Sequence, residues 1–129
     1  MLNPDSVGRT FEGAELVTVT QSQIDAFCAV LSESNTTVAP PTFSIRITLE
    51  QSQKILSNPE IDLDWSRVVH GDQRFEIKHP IVAGDTFKCS STIESYKVSD
   101  GNEFVAIRSD LVSNNRLTVS TWSTLVVRA

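Results

Sequence analysis

The sequence predicts an α+β fold in which a curved antiparallel sheet curls around one long, buried helix. Three observations carry this. Helical patterns occupy the first half of the chain and β-rich runs fill the second. The later runs are separated by the turn pairs Asp100-Gly101 and Asn114-Asn115, which favour hairpins. One stretch, residues 42–57, is long and apolar enough to be a central helix.

Residues 14–20 (AELVTVT) are rich in β-branched side chains and read as a first strand or extended lead-in. Thr20 and Gln23 have the spacing of a capping box, in which each side chain answers the other's backbone N–H. Ile24, Phe27, Cys28, Val30 and Leu31 then recur at helical spacing, so a helix is expected over 21–31. The polar run Ser32-Glu33-Ser34-Asn35-Thr36-Thr37 stops it. Pro40 forces Ala39 out of the α region, and Pro41 suits the opening of a second helix. Residues 42–57 satisfy two periodicities. Phe43, Ile45, Ile47 and Leu49 alternate as in a strand, yet Phe43/Ile47 and Ile45/Leu49 are also i,i+4 pairs. The good helix formers from Leu49 to Leu56 favour a mostly buried helix, apolar around much of its girth. Asn58-Pro59 ends it, and residues 60–65 form a loop.

Residues 67–78 (RVVHGDQRFEIK) alternate loosely and stop at His79-Pro80. After the tight turn Ala83-Gly84-Asp85 come strands over 86–98, 103–113 and 116–127. The expected order is one strand, two helices, then four antiparallel strands in a meander.

The chain has 129 residues, and 40% of them are apolar, enough to bury a core as one domain (1–129) without metals or disulfides. The net charge of −5 argues against a nucleic-acid groove built on phosphate neutralisation. No run approaches the roughly 18 apolar residues of a membrane span. Met1-Leu2-Asn3-Pro4-Asp5 lacks the basic and apolar regions of a signal peptide. Cys28 and Cys89 stand far apart among apolar or small neighbours and read as buried free thiols. A cytoplasmic protein with no nucleic-acid or membrane partner is expected.

Few residues can carry chemistry. Two histidines and two cysteines without CxxC or HxxxH spacing give no metal site. There is no GxSxG elbow and no Gly-rich phosphate cradle, so no cofactor is expected. The start of the second helix, at Pro40-Pro41-Thr42, can present free backbone donors to a carbonyl or phosphate, or can be an ordinary proline-started core helix. His70, beside Gly71 and Asp72, can act as a base, or can be a polar residue at a sheet edge or subunit contact. Gly71 within a strand signals a bulge or a close backbone approach. His79 reads as solvent-facing, Asp85 as a turn residue, and Trp65 and Trp122 as packing groups.

Three groups of residues together carry a resemblance. They are Ala39-Pro40-Pro41-Thr42-Phe43, the stretch from Ser57 to Phe75 with His70-Gly71-Asp72-Gln73-Arg74-Phe75 at its end, and His79-Pro80-Ile81-Val82-Ala83-Gly84-Asp85. Over nearly its whole length the chain resembles the MaoC-like dehydratase N-terminal domain. That family includes the small non-catalytic subunit of actinobacterial (3R)-hydroxyacyl-ACP dehydratases. The resemblance implies a hot-dog fold, with residues 42–57 as the central helix. It implies that two hot-dogs pair edge to edge, one carrying the hydratase motif Asp-x-Asn-Pro-x-His and the other the acyl-chain tunnel.

The hydratase motif would fall on Glu33-Ser34-Asn35-Thr36-Thr37-Val38, where only Asn35 matches. Glu33 stands in place of the Asp, Thr36 in place of Pro, and Val38 in place of the base His. The chain therefore resembles the catalytically silent half of a (3R)-3-hydroxyacyl dehydratase. The implied ligand is an acyl-CoA or acyl-ACP thioester, and the implied partner a second copy or a catalytic hot-dog subunit. The substrate-binding residues expected on this basis are Pro41, Thr42, Phe43, Ile47, His70 and Gly71, with Phe43→Trp shortening the accepted acyl chain. Two other readings remain open at this point. One is a self-sufficient homodimeric hydratase or thioesterase using His70 with Glu33 or Asp72, and Asn35 in support. The other is a non-enzymatic acyl-binding module.

Overall fold

The computed structural model describes the whole chain, Met1–Ala129. Its strands and helices are β1 (Thr10–Thr18), α1 (Gln21–Val30), α2 (Ile45–Leu56), β2 (Val68–Ile77), β3 (Thr86–Ser99), β4 (Asn102–Ser113) and β5 (Arg116–Val127). The strands form one antiparallel sheet in the order β1-β3-β4-β5-β2. The hot-dog arrangement expected of the sequence is present: one sheet with α2 against its inner face.

Alternation along the three central strands builds the core. Phe87, Cys89 and Ile93 of β3, Val105, Ile107 and Leu111 of β4, and Val119, Leu125 and Val127 of β5 are all buried. Helix α2 adds Ile47, Ile55 and Leu56, and α1 adds Ile24 and Cys28. Phe43, just before α2, is fully buried and meets Phe27 of α1 edge to face at 5.4 Å. No helix is long and apolar enough to cross a membrane.

The capping box forms as expected: Gln23 N–H donates to the Thr20 hydroxyl and Thr20 N–H to Gln23 Oε1. Four expectations are corrected. β1 begins at Thr10, not residue 14, because Thr10, Phe11 and Glu12 pair with Thr92, Ser91 and Ser90 of β3. An irregularity between Glu12 and Leu16 hides this half of the strand from any alternating pattern. Helix α2 begins at Ile45, not Thr42: Phe43 N–H donates to Pro40 O and Ile45 N–H to Thr42 O, so the prolines set tight turns that precede the helix. Nor is α2 apolar around its girth. Leu49, Glu50, Gln53 and Lys54 are exposed, while Thr48, Gln51 and Ser52 are buried with the apolar stripe.

The fourth correction is topological. Only β3-β4-β5 form a meander; β2 lies at the far edge beside β5. The connection from β2 to β3 carries Pro80 and crosses the end of the sheet, held by Ala39 N–H on Ile81 O (2.7 Å). Alternation in a strand reports its faces, not its neighbours. The consequence is asymmetry: α2 lies over β1, β3 and β4 and leaves β2 outside its cover.

The chain's first residues strap the other end of the sheet. Leu2 N–H (2.9 Å) and the Tyr96 hydroxyl (2.7 Å) both donate to Glu103 Oε1, and Asn3 N–H donates to Ile61 O. Glu103 is buried, which works against its charge, but these donors hold its carboxyl below the usual glutamate range. Burial and the Glu103 carboxylate push the Tyr96 phenol up to about 12.

Candidate functional site

The loop between α1 and α2 meets the β2–β3 connection at the uncovered side of the sheet. Val38, Pro40 and Pro41 on one wall face Ile77, Pro80 and Ile81 on the other, across an apolar cleft of about 230 Å³. A shallower cleft of about 160 Å³ shares the Val38–Pro41 wall and is closed by Glu33 and Asn35. A larger hollow of about 340 Å³ lies among Ser95, Lys97, Ser99, Phe104, Ala106 and Thr124, the last of which is the residue that Asp72 bonds.

The donors expected at Pro41-Thr42 are mostly spent. The first amides of α2, on Ile45, Arg46 and Ile47, donate back to the carbonyls of Thr42, Phe43 and Ser44. The amides of Thr42 and Ser44 have no acceptor, and the Ser44 hydroxyl is buried without a hydrogen-bond partner. What is left without a partner at this end is therefore the Thr42 amide together with the amide and hydroxyl of the buried Ser44, not a helix terminus. Phe43 is corrected as a channel residue: it is closed off from the surface by Phe27 and the core, and a tryptophan there would overpack. Ile47 is buried under the groove between β1 and α2, away from the apolar cleft.

The α1–α2 loop is held by its own side chains. Glu33 Oε1 accepts the Asn35 N–H (2.9 Å), and Asn35 Oδ1 accepts both the amide and the hydroxyl of Thr37. Cys28 donates weakly to Asn35 O at 3.7 Å. Burial, with Glu33 and Asp25 nearby, raises the Cys28 thiol, and burial pushes Cys89 up to about 12, so both free cysteines are inert.

His70, Gly71 and Asp72 sit at the opposite end of β2. His70 lies opposite Leu125 and Asp72 opposite Thr124, so Gly71 is the extra residue of a bulge. A Cβ at Gly71 would stand 3.0 Å from Thr124 O. Asp72 Oδ1 accepts the Thr124 N–H (3.1 Å) and supplies the ladder bond that the bulge interrupts. His70 is exposed and pairs with neither Asp72 nor Glu33. Six residues lie between it and Ile77, roughly 20 Å of strand. The structure thus brings Pro41, Thr42, Glu33 and Asn35 together and leaves His70, Gly71 and Asp72 apart.

Three secondary expectations resolve plainly. Asp85 is a turn residue, accepting the Val82 N–H at 3.0 Å. His79 is half-buried rather than solvent-facing. Trp65 packs on the core, but Trp122 lies on the outer face between the guanidinium groups of Arg74 (4.1 Å) and Arg108 (5.3 Å). Of the cleft residues, Val38 stood out in the sequence only as the replacement of the base His, Pro80 and Ile81 only as part of the resemblance, and Ile77 not at all. The available signal was the inner-face phase of β2 beyond its bulge, legible only once Gly71 is counted as an extra residue.

The one-sheet hot-dog with an apolar cleft at its open side is the fold of a dehydratase-type domain, and the comparisons with known proteins agree. The chain belongs to the FAS1-like dehydratase domain region family, whose sequence model matches residues 28–118. It is 35% identical to a UPF0336 protein of Thermobifida fusca over 98% of this chain and 93% of that protein. In fold it is similar to the C-terminally truncated HadBC (3R-hydroxyacyl-ACP dehydratase) complex from Mycobacterium tuberculosis, with a TM-score of 0.83 at 20% identity, covering 97% of this chain and 99% of that one. It is also similar to a MaoC-like dehydratase from Rhodospirillum rubrum, with a TM-score of 0.70 at 16% identity over 99% and 97% of the two chains.

Proposed function

We propose that the chain is an acyl-thioester-binding subunit of a (3R)-3-hydroxyacyl dehydratase, or enoyl hydratase, and that it supplies the acyl channel to a catalytic hot-dog partner. The observation that carries this is the apolar cleft walled by Val38, Pro40 and Pro41, the last of which directly precedes Thr42, whose amide has no acceptor. An acyl chain would lie between Val38, Pro41, Ile77 and Ile81, and its thioester carbonyl would meet that amide. The carrier is CoA or an acyl carrier protein.

Hydration of an enoyl thioester needs a base for water and an acid for the α-carbon. The cleft wall offers neither. Val38 occupies the position of the base, and the Glu33 carboxylate is engaged by the Asn35 amide. The pair would come from the partner, and the likeness to a chain of the HadBC dehydratase complex supports a paired assembly.

Hydration of a trans-2-enoyl-CoA, followed by loss of the conjugated absorbance, tests this. The purified chain alone is expected to give no turnover, and addition of a hot-dog subunit carrying Asp and His is expected to restore it. Turnover by the chain alone that disappears in His70→Ala would overturn the reading.

A further inference from the structure

The face of the sheet turned away from α2 carries a trough. Phe104 and Ala106 alternate along β4 with Val105 and Ile107, which are buried in the core, so they point outward. The register sets Ser95, Ala106 and Thr124 side by side across β3, β4 and β5. This row of small side chains runs between two rows of larger ones. On one side Lys97 stands opposite Phe104, and Phe104 opposite Val126. On the other Arg108 stands opposite Trp122, and Trp122 opposite Arg74. Both guanidinium groups lie over the indole, so that wall is held by its own contacts. Rows two residues apart are roughly 7 Å apart along a strand, which puts the walls about 14 Å apart at the backbone. The hollow of about 340 Å³ lies in this trough, with Ser95, Ala106 and Thr124 in its lining and Lys97, Ser99 and Phe104 beside them.

The cation of the hollow is unspent. The chain has four lysines. Lys54, Lys78 and Lys88 each hold a carboxylate within 3.5 Å, and Lys97 holds none. Asp72, at the β2 end of the small-residue row, is engaged by the Thr124 N–H (3.1 Å). A free ammonium beside an aromatic wall selects an anion with a flat apolar body. A cation is repelled by Lys97. An inorganic anion leaves Phe104 and Ala106 uncovered, and a neutral hydrocarbon leaves the ammonium without a partner.

We propose that this trough is a binding site for an aryl carboxylate. The ring lies on Ala106 against Phe104. The carboxylate accepts from the Lys97 ammonium and from the hydroxyls of Ser95 and Ser99, which flank Lys97 on the same face of β3. The site is on the opposite face of the sheet from the apolar cleft and does not rest on the acyl-binding reading.

Isotope-edited chemical-shift mapping of the purified full chain with 2-naphthoate tests this. Saturable shifts are expected at Ser95, Lys97, Phe104, Ala106 and Thr124. Lys97→Glu should weaken the probe at least tenfold and Lys97→Arg should retain it; Lys97 is exposed, so neither change touches the core. The neutral 2-naphthamide should bind at least tenfold more weakly than the carboxylate. Ile77→Trp, which fills the apolar cleft, should leave the affinity for 2-naphthoate unchanged, so failure of this site and failure of the acyl-binding reading are told apart. Circular dichroism confirms the fold of each variant. No saturable shift at millimolar probe, shifts centred on Val38 and Ile77, equal binding of the amide, or indifference to Lys97→Glu would overturn the proposal.

Discussion

On the β1 side of the sheet, α2 covers the inner face, and its Lys54 reaches Glu15 of the edge strand (3.4 Å) and Glu50 of its own helix (3.2 Å). On the β2 side no helix lies over the strand, Ile77 is 41% exposed, and the neighbouring loops leave an apolar cleft. The two edges differ in the same sense. β1 is interrupted between Glu12 and Leu16, which spoils it as a template, whereas β2 keeps an unbroken register from Asp72 to Ile77. One half of the sheet is covered by a helix, and the other carries an open apolar cleft.

Substitutions sharpen that division. The largest expected effect is in the covered half. Phe43→Ala should cost about 3–5 kcal/mol, measured by urea unfolding, because it empties a fully buried site and removes the stack on Phe27. A loss below 1 kcal/mol, roughly the scale of a surface substitution, would mean that this end of the core is loosely packed.

Gly71→Ala is next, at about 1–3 kcal/mol, because the new Cβ meets a backbone carbonyl that cannot swing away. Unchanged stability would show that the bulge relaxes freely.

Glu103→Gln should cost a similar or smaller amount, about 1–3 kcal/mol at pH 7, through its contacts with Leu2 and Tyr96. The sign of its pH dependence follows from the depressed native pKa. The contribution of Glu103 is fully present above the unfolded glutamate value of about 4.3, and it is lost as pH falls through the lower native value. The stability gap between wild type and variant should therefore narrow from pH 7 to pH 3. A gap that stays constant would remove the charge from the explanation.

The smallest effect on stability belongs to the open half. Ile77→Trp should change unfolding by no more than about 0.5 kcal/mol, as for other partly exposed positions. The same substitution should weaken acyl-CoA binding at least tenfold by filling the cleft, read by calorimetric titration. Equal affinity would move the acyl chain out of the cleft.

Much of the covered half is legible in the sequence. The Thr20/Gln23 box, the helix-forming run from Leu49 to Leu56 and the Asp100-Gly101 and Asn114-Asn115 turns each follow from local chemistry. The open half is less so, because its form depends on pairings distant in sequence. β2 finds β5 across more than forty residues, and its bulge changes which residues face the cleft. Pro40-Pro41 illustrates the limit at close range. Proline fixes its own φ, but whether a turn or a helix follows is decided by Phe43 seeking the core. His70 shows the limit at long range: its neighbours in sequence suggest a site, and its position on the strand removes it from the cleft of its own chain.

The most direct measurement is isotope-edited chemical-shift mapping of the chain with a non-hydrolysable acyl-CoA. An acyl-binding cleft on the β2 side predicts shifts concentrated at Val38, Ala39, Thr42, Ser44, Ile77 and Ile81, with the β1–β3 edge silent. Shifts centred on β1 and α2, or none at saturating ligand, would contradict it.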